Sequence, residues 1–304
     1  MTRKTRIWLG LFLLVPTMVI IAVIGLLVFD IIRPLPPMQP LPNPNGYADL
    51  AKAGEMADTN TGDFSEMKPE ELHKLVVKNS DALQAARTAL QQDCAVPLEF
   101  SEDYIGRHLS ELADYKRLAQ AFVAEGRLAD GENRPGDAVK SYLDVMRLSN
   151  QSARGGILID QMVGTAIKAM GTAHLQKLVD RLDAKSCRET AATLELLDAQ
   201  RQSWADVFGQ EEAWSRRTYT GPTYRIYRLL LDRMTANAVQ KAKRRFNEQE
   251  KKTRQLIIDL AARAYELDKG HRPANFADLV PDYLKAIPQD PFTGTNMTFM
   301  SPSR

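Results

Sequence analysis

The chain is poor in the residues that build metal and disulfide sites. It has two cysteines and four histidines among 304 residues, and the histidines lie far apart. Two thiols are too few for a disulfide-rich scaffold or a four-thiolate zinc site. The H-E-x-x-H, C-x-x-C, phosphate-loop and dinucleotide-binding motifs are also missing. We therefore predict no catalytic residue, no metal ligand and no cofactor, and we expect that the protein is not an enzyme.

A net excess of charge is missing as well. Lys and Arg total 40 against 38 for Asp and Glu, which leaves a net charge of +2. This balance does not favour a nucleic-acid partner, and we predict none. One local basic stretch runs from Lys241 to Arg245 and continues at Lys251, Lys252 and Arg254. We expect it to be the solvated face of a long helix; contact with an anionic polymer or with membrane headgroups is the alternative.

Charged side chains are entirely absent from residues 7–29. As a helix this run would be roughly 35 Å long, enough to cross the ~30 Å hydrocarbon core of a bilayer. Arg3, Lys4 and Arg6 precede it, so the positive-inside rule places the N-terminus in the cytoplasm. We predict an uncleaved signal-anchor with a single transmembrane helix. The alternative is a cleaved signal peptide, although its apolar region is usually only about 7–15 residues long.

Proline is concentrated in residues 34–46, directly after the apolar run. Proline at this density favours extended polyproline geometry, which could hold the next domain roughly 35 Å from the bilayer. We predict a stalk; an SH3-type ligand is the alternative. The predicted organisation is then an N-terminus and anchor at 1–33, the stalk at 34–46, a helical domain at 47–254 and a distinct C-terminal segment at 255–304.

Apolar residues after position 47 recur at the three- and four-residue spacing of amphipathic helices. One stripe continues from Leu72 to Leu90, with Pro69 in the first turn of its helix. Further stripes lie at residues 109–122, 138–146, 157–179, 191–208 and 224–264. Alternating, strand-like stretches are nearly absent. The predicted fold class is therefore all-α, with an N-terminal transmembrane helix followed by a domain of antiparallel helices.

One predicted helical hairpin resembles a tetratricopeptide unit. Gly126 is followed by Ala138 after 12 positions and by Tyr142 after four more, and Phe122 lies four before the glycine. These spacings match the small and aromatic positions that let two antiparallel helices pack closely. No second copy is clear, whereas a repeat array needs about three units. The alternative is an ordinary helical hairpin closed by Gly136.

Asp160 lies between Gly156 and Gly164 on one predicted helix face. Glycine inside a helix costs about 1 kcal/mol relative to alanine, so these glycines need a reason. One interpretation is a groove in which Asp160 acts. We favour the other, a close helix crossing in which Asp160 caps a helix or pairs with a neighbouring arginine.

Cys94 and Cys187 would both lie outside the cytoplasm if the predicted topology holds. A disulfide between them is possible there and would contribute a few kcal/mol of stability by closing a long loop. The alternative is two buried, unpaired thiols, because the sequence gives no distance between them.

The C-terminal segment carries a pattern of glycine, proline and aromatic residues within positions 261–294. The pattern comprises Tyr265, Asp268, Gly270, Pro273, Leu279-Val280-Pro281, Tyr283-Leu284, Ile287-Pro288, Asp290-Pro291 and Gly294. It resembles the region that follows the long helix of type II secretion pseudopilins. In this region Gly270 can end a helix and Asn275 can cap a short helix through Leu284. The resemblance implies a role beside a secretion or pilus-like assembly.

A second resemblance extends over more of the chain. Its positions are Arg127, Gly136-Asp137-Ala138, Tyr142, Ala153-Arg154-Gly155-Gly156 and the same C-terminal segment. The chain is similar at these positions to membrane-anchored helical proteins of planctomycete-type bacteria. Since those proteins are uncharacterised, this likeness implies an architecture and no activity.

These observations lead to one functional prediction with two alternatives. We expect a single-pass inner-membrane protein with a periplasmic helical domain that serves as a binding or scaffold module. Its predicted partners are the lipid bilayer and a protein. The first alternative is an accessory component of a type II secretion or pilus-like assembly. The second is a hydrolase that uses carboxylates on facing helices.

Overall fold

The computed structural model describes residues 17–22, 25, 34–58 and 67–298 of the chain. This part of the chain is all-α, as predicted, and it contains no strand; a single antiparallel bridge joins Gln289 and Asn296. The helices of the body are α1 (Tyr47–Met56), α2 (Pro69–Lys78), α3 (Ser80–Ala89), α4 (Tyr104–Gly131), α5 (Pro135–Gln151), α6 (Leu158–Leu178), α7 (Ala184–Ala199), α8 (Trp204–Thr218) and α9 (Pro222–Lys269).

The predicted transmembrane segment lies mostly outside the described residues. Within it, residues 17–22 and 25 are helical. In the described ranges, no helix combines the length and the apolar composition that crossing a bilayer requires.

Two hydrophobic clusters meet at α5 and α6. Representative members of the first cluster, formed with α1, α3 and α4, are Leu50, Leu83, Tyr115, Leu118, Val145 and Ile167. Representative members of the second, formed with α7, α9 and the C-terminal segment, are Met146, Leu175, Leu194, Leu256 and Leu284. Because α5 contributes Val145 to one cluster and Met146 to the other, it forms the centre of the body.

The hairpin of α4 and α5 has the close packing that the tetratricopeptide-like spacing predicts. A Cβ at Gly126 would overlap the ring of Tyr142, which is itself 2% exposed. Only a residue without a side chain allows the two backbones to approach this closely. The turn between the helices uses Asn133 in the left-handed region (φ 57°), whereas Gly136 lies within the first turn of α5. The hairpin is therefore not closed by Gly136.

The stripe from Leu72 to Leu90 forms two helices rather than one. The two helices meet at Asn79, whose side chain is buried. The Oδ1 of Asn79 accepts from the Asp58 N–H at 2.8 Å, and the Nδ2 of Asn79 donates to the Asp58 carbonyl at 2.9 Å. A similar break separates α7 from α8, where Ser203 accepts a hydrogen bond from the N–H of Asp206 and caps α8.

Helix α9 is 48 residues long and ends at Gly270 in the left-handed region (φ 78°), as expected. Asn275 caps only the short 3-10 turn Phe276–Asp278, so no helix extends to Leu284. The boundary predicted after residue 254 falls within α9. Leu279 and Leu284 are fully buried in the cluster that α7 and α9 share, and so the C-terminal segment packs as part of the body.

The proline-rich segment does not project from the domain as a free stalk. The guanidinium groups of Arg216 and Arg217 donate to the carbonyls of Pro34 (3.1 Å) and Pro36 (2.8 Å). Farther along, the side chain of Asn45 pairs with both backbone groups of Ala95, at 2.9 and 3.0 Å. Proline lacks a backbone donor but keeps its carbonyl, so arginine side chains can bind such a segment. From Pro34 onward the chain therefore lies along the body beside α8.

Candidate functional site

Asp160, the candidate between two glycines, lies in a buried polar network. Its Oδ2 accepts from the N–H of Ile157 at 2.8 Å and so caps the start of α6. Its Oδ1 lies 2.5 Å from Nε2 of His108 on α4. The capping that we predicted is present, but the charged partner is a histidine rather than an arginine. Asp160 is 0% and His108 3% exposed, so the pair is enclosed by the fold.

His108 contacts a second carboxylate through its other ring nitrogen. Nδ1 lies 3.0 Å from Oε2 of Glu111, and the hydroxyl of Tyr47 donates to the same oxygen at 3.2 Å. Burial alone would lower the pKa of His108, but the bonds to Asp160 and Glu111 outweigh burial and hold this pKa above its ordinary value. An imidazole between two carboxylates is therefore favoured in its charged form, in which both nitrogens donate.

Aromatic rings cover the imidazole. The ring of Tyr104 stacks on His108 with a centroid distance of 4.9 Å, and the ring of Trp214 lies 5.9 Å from Tyr104. Beside them, Glu211 on α8 accepts from the N–H of Leu158 at 2.9 Å, and burial raises the pKa of Glu211. The network thus joins α4, α6 and α8. Its enclosed geometry suits the positioning of helices rather than reaction with a substrate.

The two flanking glycines allow the close approach around Asp160. A Cβ at Gly156 would lie 2.6 Å from the Asp160 side chain. A Cβ at Gly164 would lie 2.8 Å from the carbonyl oxygen of Ser149 on α5. Gly164 lies where α6 closely crosses α5, so the close helix crossing that we favoured is present there. Gly156 lies before the start of α6 and not on its face, so the prediction that both glycines share one helix face with Asp160 is wrong.

A second group of buried charges joins α6, α7 and α9. Glu250 is 1% exposed and accepts from Lys168 Nζ at 2.8 Å, while Arg201 Nε lies 2.9 Å from its other oxygen. Arg201 and Arg254 also pair with Asp198, at 3.1 and 3.0 Å. These carboxylates lie on facing helices, but three cations engage them. The arrangement stabilises helix packing and offers the hydrolase alternative no free carboxylate here.

The basic stretch near the middle of α9 divides into two parts. Arg254, at 8% exposure, is bonded to Asp198, and Lys251 donates to Asp290 of the C-terminal segment at 2.6 Å. Residues 241, 243–245, 251 and 252 are exposed, so Arg254 is the one basic residue of this stretch that is buried. Burial of Arg254 was not foreseen, because its partner Asp198 is remote in sequence.

The two cysteines are free and buried. Cys94 belongs to the cluster of α1, α3 and α4, whereas Cys187 belongs to the cluster of α7 and α9. Burial raises the pKa of each thiol to about 11. The structure therefore has the second of the two arrangements considered above. Within the described residues, no group of three or more His, Cys, Asp or Glu side chains is placed to hold a metal ion.

A groove of about 550 Å³ lies between α2 and the end of α4. Met67, Leu72 and Leu128 form its apolar part, and its charged lining residues are of both signs: Glu70, Lys74, Arg127 and Glu132. A concave, mainly apolar surface with a few polar groups is the usual form of a binding site. This groove was not identified from the sequence, because its two walls come from separate helices.

Comparisons with known protein families, with curated proteins and with solved structures find no match for this chain.

Proposed function

We propose that the protein is a single-pass membrane protein whose all-α body serves as a binding module at the outer face of the inner membrane. The anchor in this proposal is residues 7–29, and the positive charges before it keep the N-terminus in the cytoplasm. The observation that carries the proposal is the bonding of Arg216 and Arg217 to the carbonyls of Pro34 and Pro36.

This contact supports a short distance between the body and the proposed anchor. Pro34 lies five positions after Phe29, the end of the apolar run, so five Cα-to-Cα steps join them. Even fully extended, they reach at most about 18 Å. A body held at Pro34 therefore lies next to the bilayer instead of at the end of a long stalk, and any protein that it binds is recruited to the membrane surface.

The proposed contact for a protein partner is the groove between α2 and α4. Its apolar part can take an apolar side chain of the partner, and the mixed charges of its lining favour a partner with complementary charges of both signs beside that side chain. The charged clusters at His108 and Glu250 hold the helices rigidly, which suits a preformed surface.

Photocrosslinking in intact membranes tests this binding role. A photoreactive amino acid replaces exposed His73 in the groove, and the matched control carries it at exposed Ala173 on α6. We expect a discrete protein adduct from position 73 and none from position 173. Introducing Arg127→Glu into the position-73 variant should weaken that adduct. Equal adducts from both positions, or none from position 73, would contradict a groove-specific partner.

A second candidate function is supported by the long helix. The pseudopilin-like pattern begins in the last turns of α9, whose 48 residues end at Lys269, and continues past the capping Gly270. We propose as the alternative that the protein is an accessory component of a type II secretion or pilus-like assembly. Co-purification of secretion subunits with the detergent-solubilised full chain would support it, and a monomer without such subunits would count against it.

A further inference from the structure

The first half of α9 carries an unusual density of positive charge. Residues 222–245 include seven Lys or Arg residues and one acidic residue, Asp232. Lys241, Lys243, Arg244 and Arg245 are all exposed, and so are Ala236, Asn237 and Ala238 one turn earlier. Positions 241 and 243–245 of the helix therefore expose cations, of which Arg244 also donates to Glu248 at 2.9 Å.

Apolar side chains lie beside these cations. A groove of about 280 Å³ between α6 and α9 is lined by Met162, Trp204 and Phe246 together with Arg245. Met162 is 44% exposed, and the rings of Trp204 and Phe246 lie 5.7 Å apart. Phe208, one turn after Trp204 on α8, is 47% exposed. Exposed aromatic and apolar side chains next to basic ones are typical of surfaces that lie in the headgroup region of a bilayer.

The sequence of the helical turns before Ala236 also combines apolar and basic residues. Tyr227, Leu230, Leu231 and Met234 recur at the three- and four-residue spacing of one helix face, among Arg225, Arg228 and Arg233. This is the composition of an amphipathic helix that lies in a membrane interface.

The start of α9 lies close to the point where the chain leaves the proposed anchor, and this position also favours the bilayer as the partner. Arg216 and Arg217, at the end of α8, bind the chain at Pro34 and Pro36, and α9 begins at Pro222 immediately afterwards. From there, α9 extends for about 37 Å to Phe246. Under the proposed anchor, its start lies beside the place where the chain leaves the bilayer.

We propose that the first half of α9 lies along the outer surface of the membrane that holds the anchor, with Lys241, Lys243, Arg244 and Arg245 binding anionic phospholipid headgroups. The inference rests on the proposed anchor and adds a second, electrostatic attachment to it. An anionic bilayer attracts each Lys or Arg of a basic helix near its surface, which a tethered body would use to fix its orientation.

Lysine acetylation of the full chain in nanodiscs tests the proposal. The discs contain phosphatidylcholine alone or mixed with phosphatidylglycerol, and peptide mass spectrometry follows a water-soluble acetylating reagent. We expect Lys241 and Lys243 to react roughly fivefold more slowly in the mixed discs, the ratio that corresponds to about 1 kcal/mol. The exposed reference residues Lys177 and Lys185, on α6 and α7, should react at the same rate in both.

Two double variants make the result specific. Arg244→Glu with Arg245→Glu should abolish the protection, whereas Lys116→Glu with Lys140→Glu, which changes as much exposed charge on other helices, should preserve it. Equal rates in both lipids, or protection that survives the Arg244 and Arg245 changes, would overturn the inference while leaving the anchor intact. A chain that does not remain with the discs would overturn the anchor and the inference together.

Discussion

The imidazole Nε2 of His108 lies 2.5 Å from the carboxylate Oδ1 of Asp160, and both side chains are enclosed where α4 meets α6. Removing one member of such a pair leaves the other charge buried without compensation, which costs about 3–5 kcal/mol. We expect Asp160→Asn to lower the free energy of unfolding by this amount in urea titrations. Asp282→Asn, at an exposed carboxylate, should change it by less than about 0.5 kcal/mol. Equal effects of the two changes would show that the pair contributes little.

The same pair makes stability depend on pH. The pKa of His108 is raised in the folded protein because Asp160 and Glu111 favour the imidazolium. The stabilisation that the charged imidazole gives to the folded state is therefore fully present below the ordinary histidine pKa of about 6.5. This stabilisation is lost as pH rises through the higher folded-state pKa. We expect the free energy of unfolding to fall above about pH 6.5, and this fall to be absent in His108→Gln.

A second, half-buried histidine provides an internal comparison. Burial lowers the pKa of His174 to about 4, with Lys177 and Arg127 acting in the same direction. His174 therefore opposes folding only as pH drops below about 6.5, because the unfolded chain then binds the proton more readily. His174→Gln should leave the loss of stability above pH 6.5 unchanged; if it removes that loss, the assignment to His108 is wrong.

The contact between Gly126 and Tyr142 gives a sharper test of packing. The Tyr142 ring is buried and stacks on His174 at a centroid distance of 4.9 Å, so it has little room to move away from a new Cβ. We expect Gly126→Ala to destabilise the protein by about 1–3 kcal/mol through overpacking. Gly106→Ala, in the same helix but with nothing within 4 Å of its Cβ, should instead stabilise it by up to about 1 kcal/mol.

Helix periodicity is the part of this fold that the sequence predicts well. The stripes in α4, α5 and α6 are long and regular, and Gly126 with Tyr142 even indicates which faces of α4 and α5 touch. The break at Asn79 escaped prediction because the apolar spacing continues through it. What ends the helix there is the bond between Asn79 and the backbone of Asp58, which lies 21 positions earlier.

The polar contacts escaped prediction for a related reason. Asp160 attracted attention because two glycines flank it, yet nothing near His108 in the sequence indicates that they meet across 52 positions. In the sequence, Arg254 is not distinguishable from the exposed basic residues near it. In the structure, Asp198 on α7 lies beside Arg254 and bonds to it. The proline segment has stalk composition, but its carbonyls remain acceptors for Arg216 and Arg217, which come much later in the chain.

The docking of this segment on α8 can be tested by limited proteolysis. Arg217→Ala removes both the bond to the Pro36 carbonyl and the contact of the guanidinium with the Phe100 ring. We expect cleavage within residues 34–46 to become several-fold faster, because a released segment is accessible to protease. Arg188→Ala, on α7, should not change this rate. Unchanged cleavage in Arg217→Ala would mean that the segment is held by other contacts.

The most direct test locates the full chain in bacterial cells by two methods: alkaline extraction of membranes and protease treatment of spheroplasts. The account predicts that the chain stays in the extracted membrane pellet and that protease added outside digests the helical body. Recovery of intact chain in the soluble fraction, or a body protected from external protease until the membrane is ruptured, would contradict it.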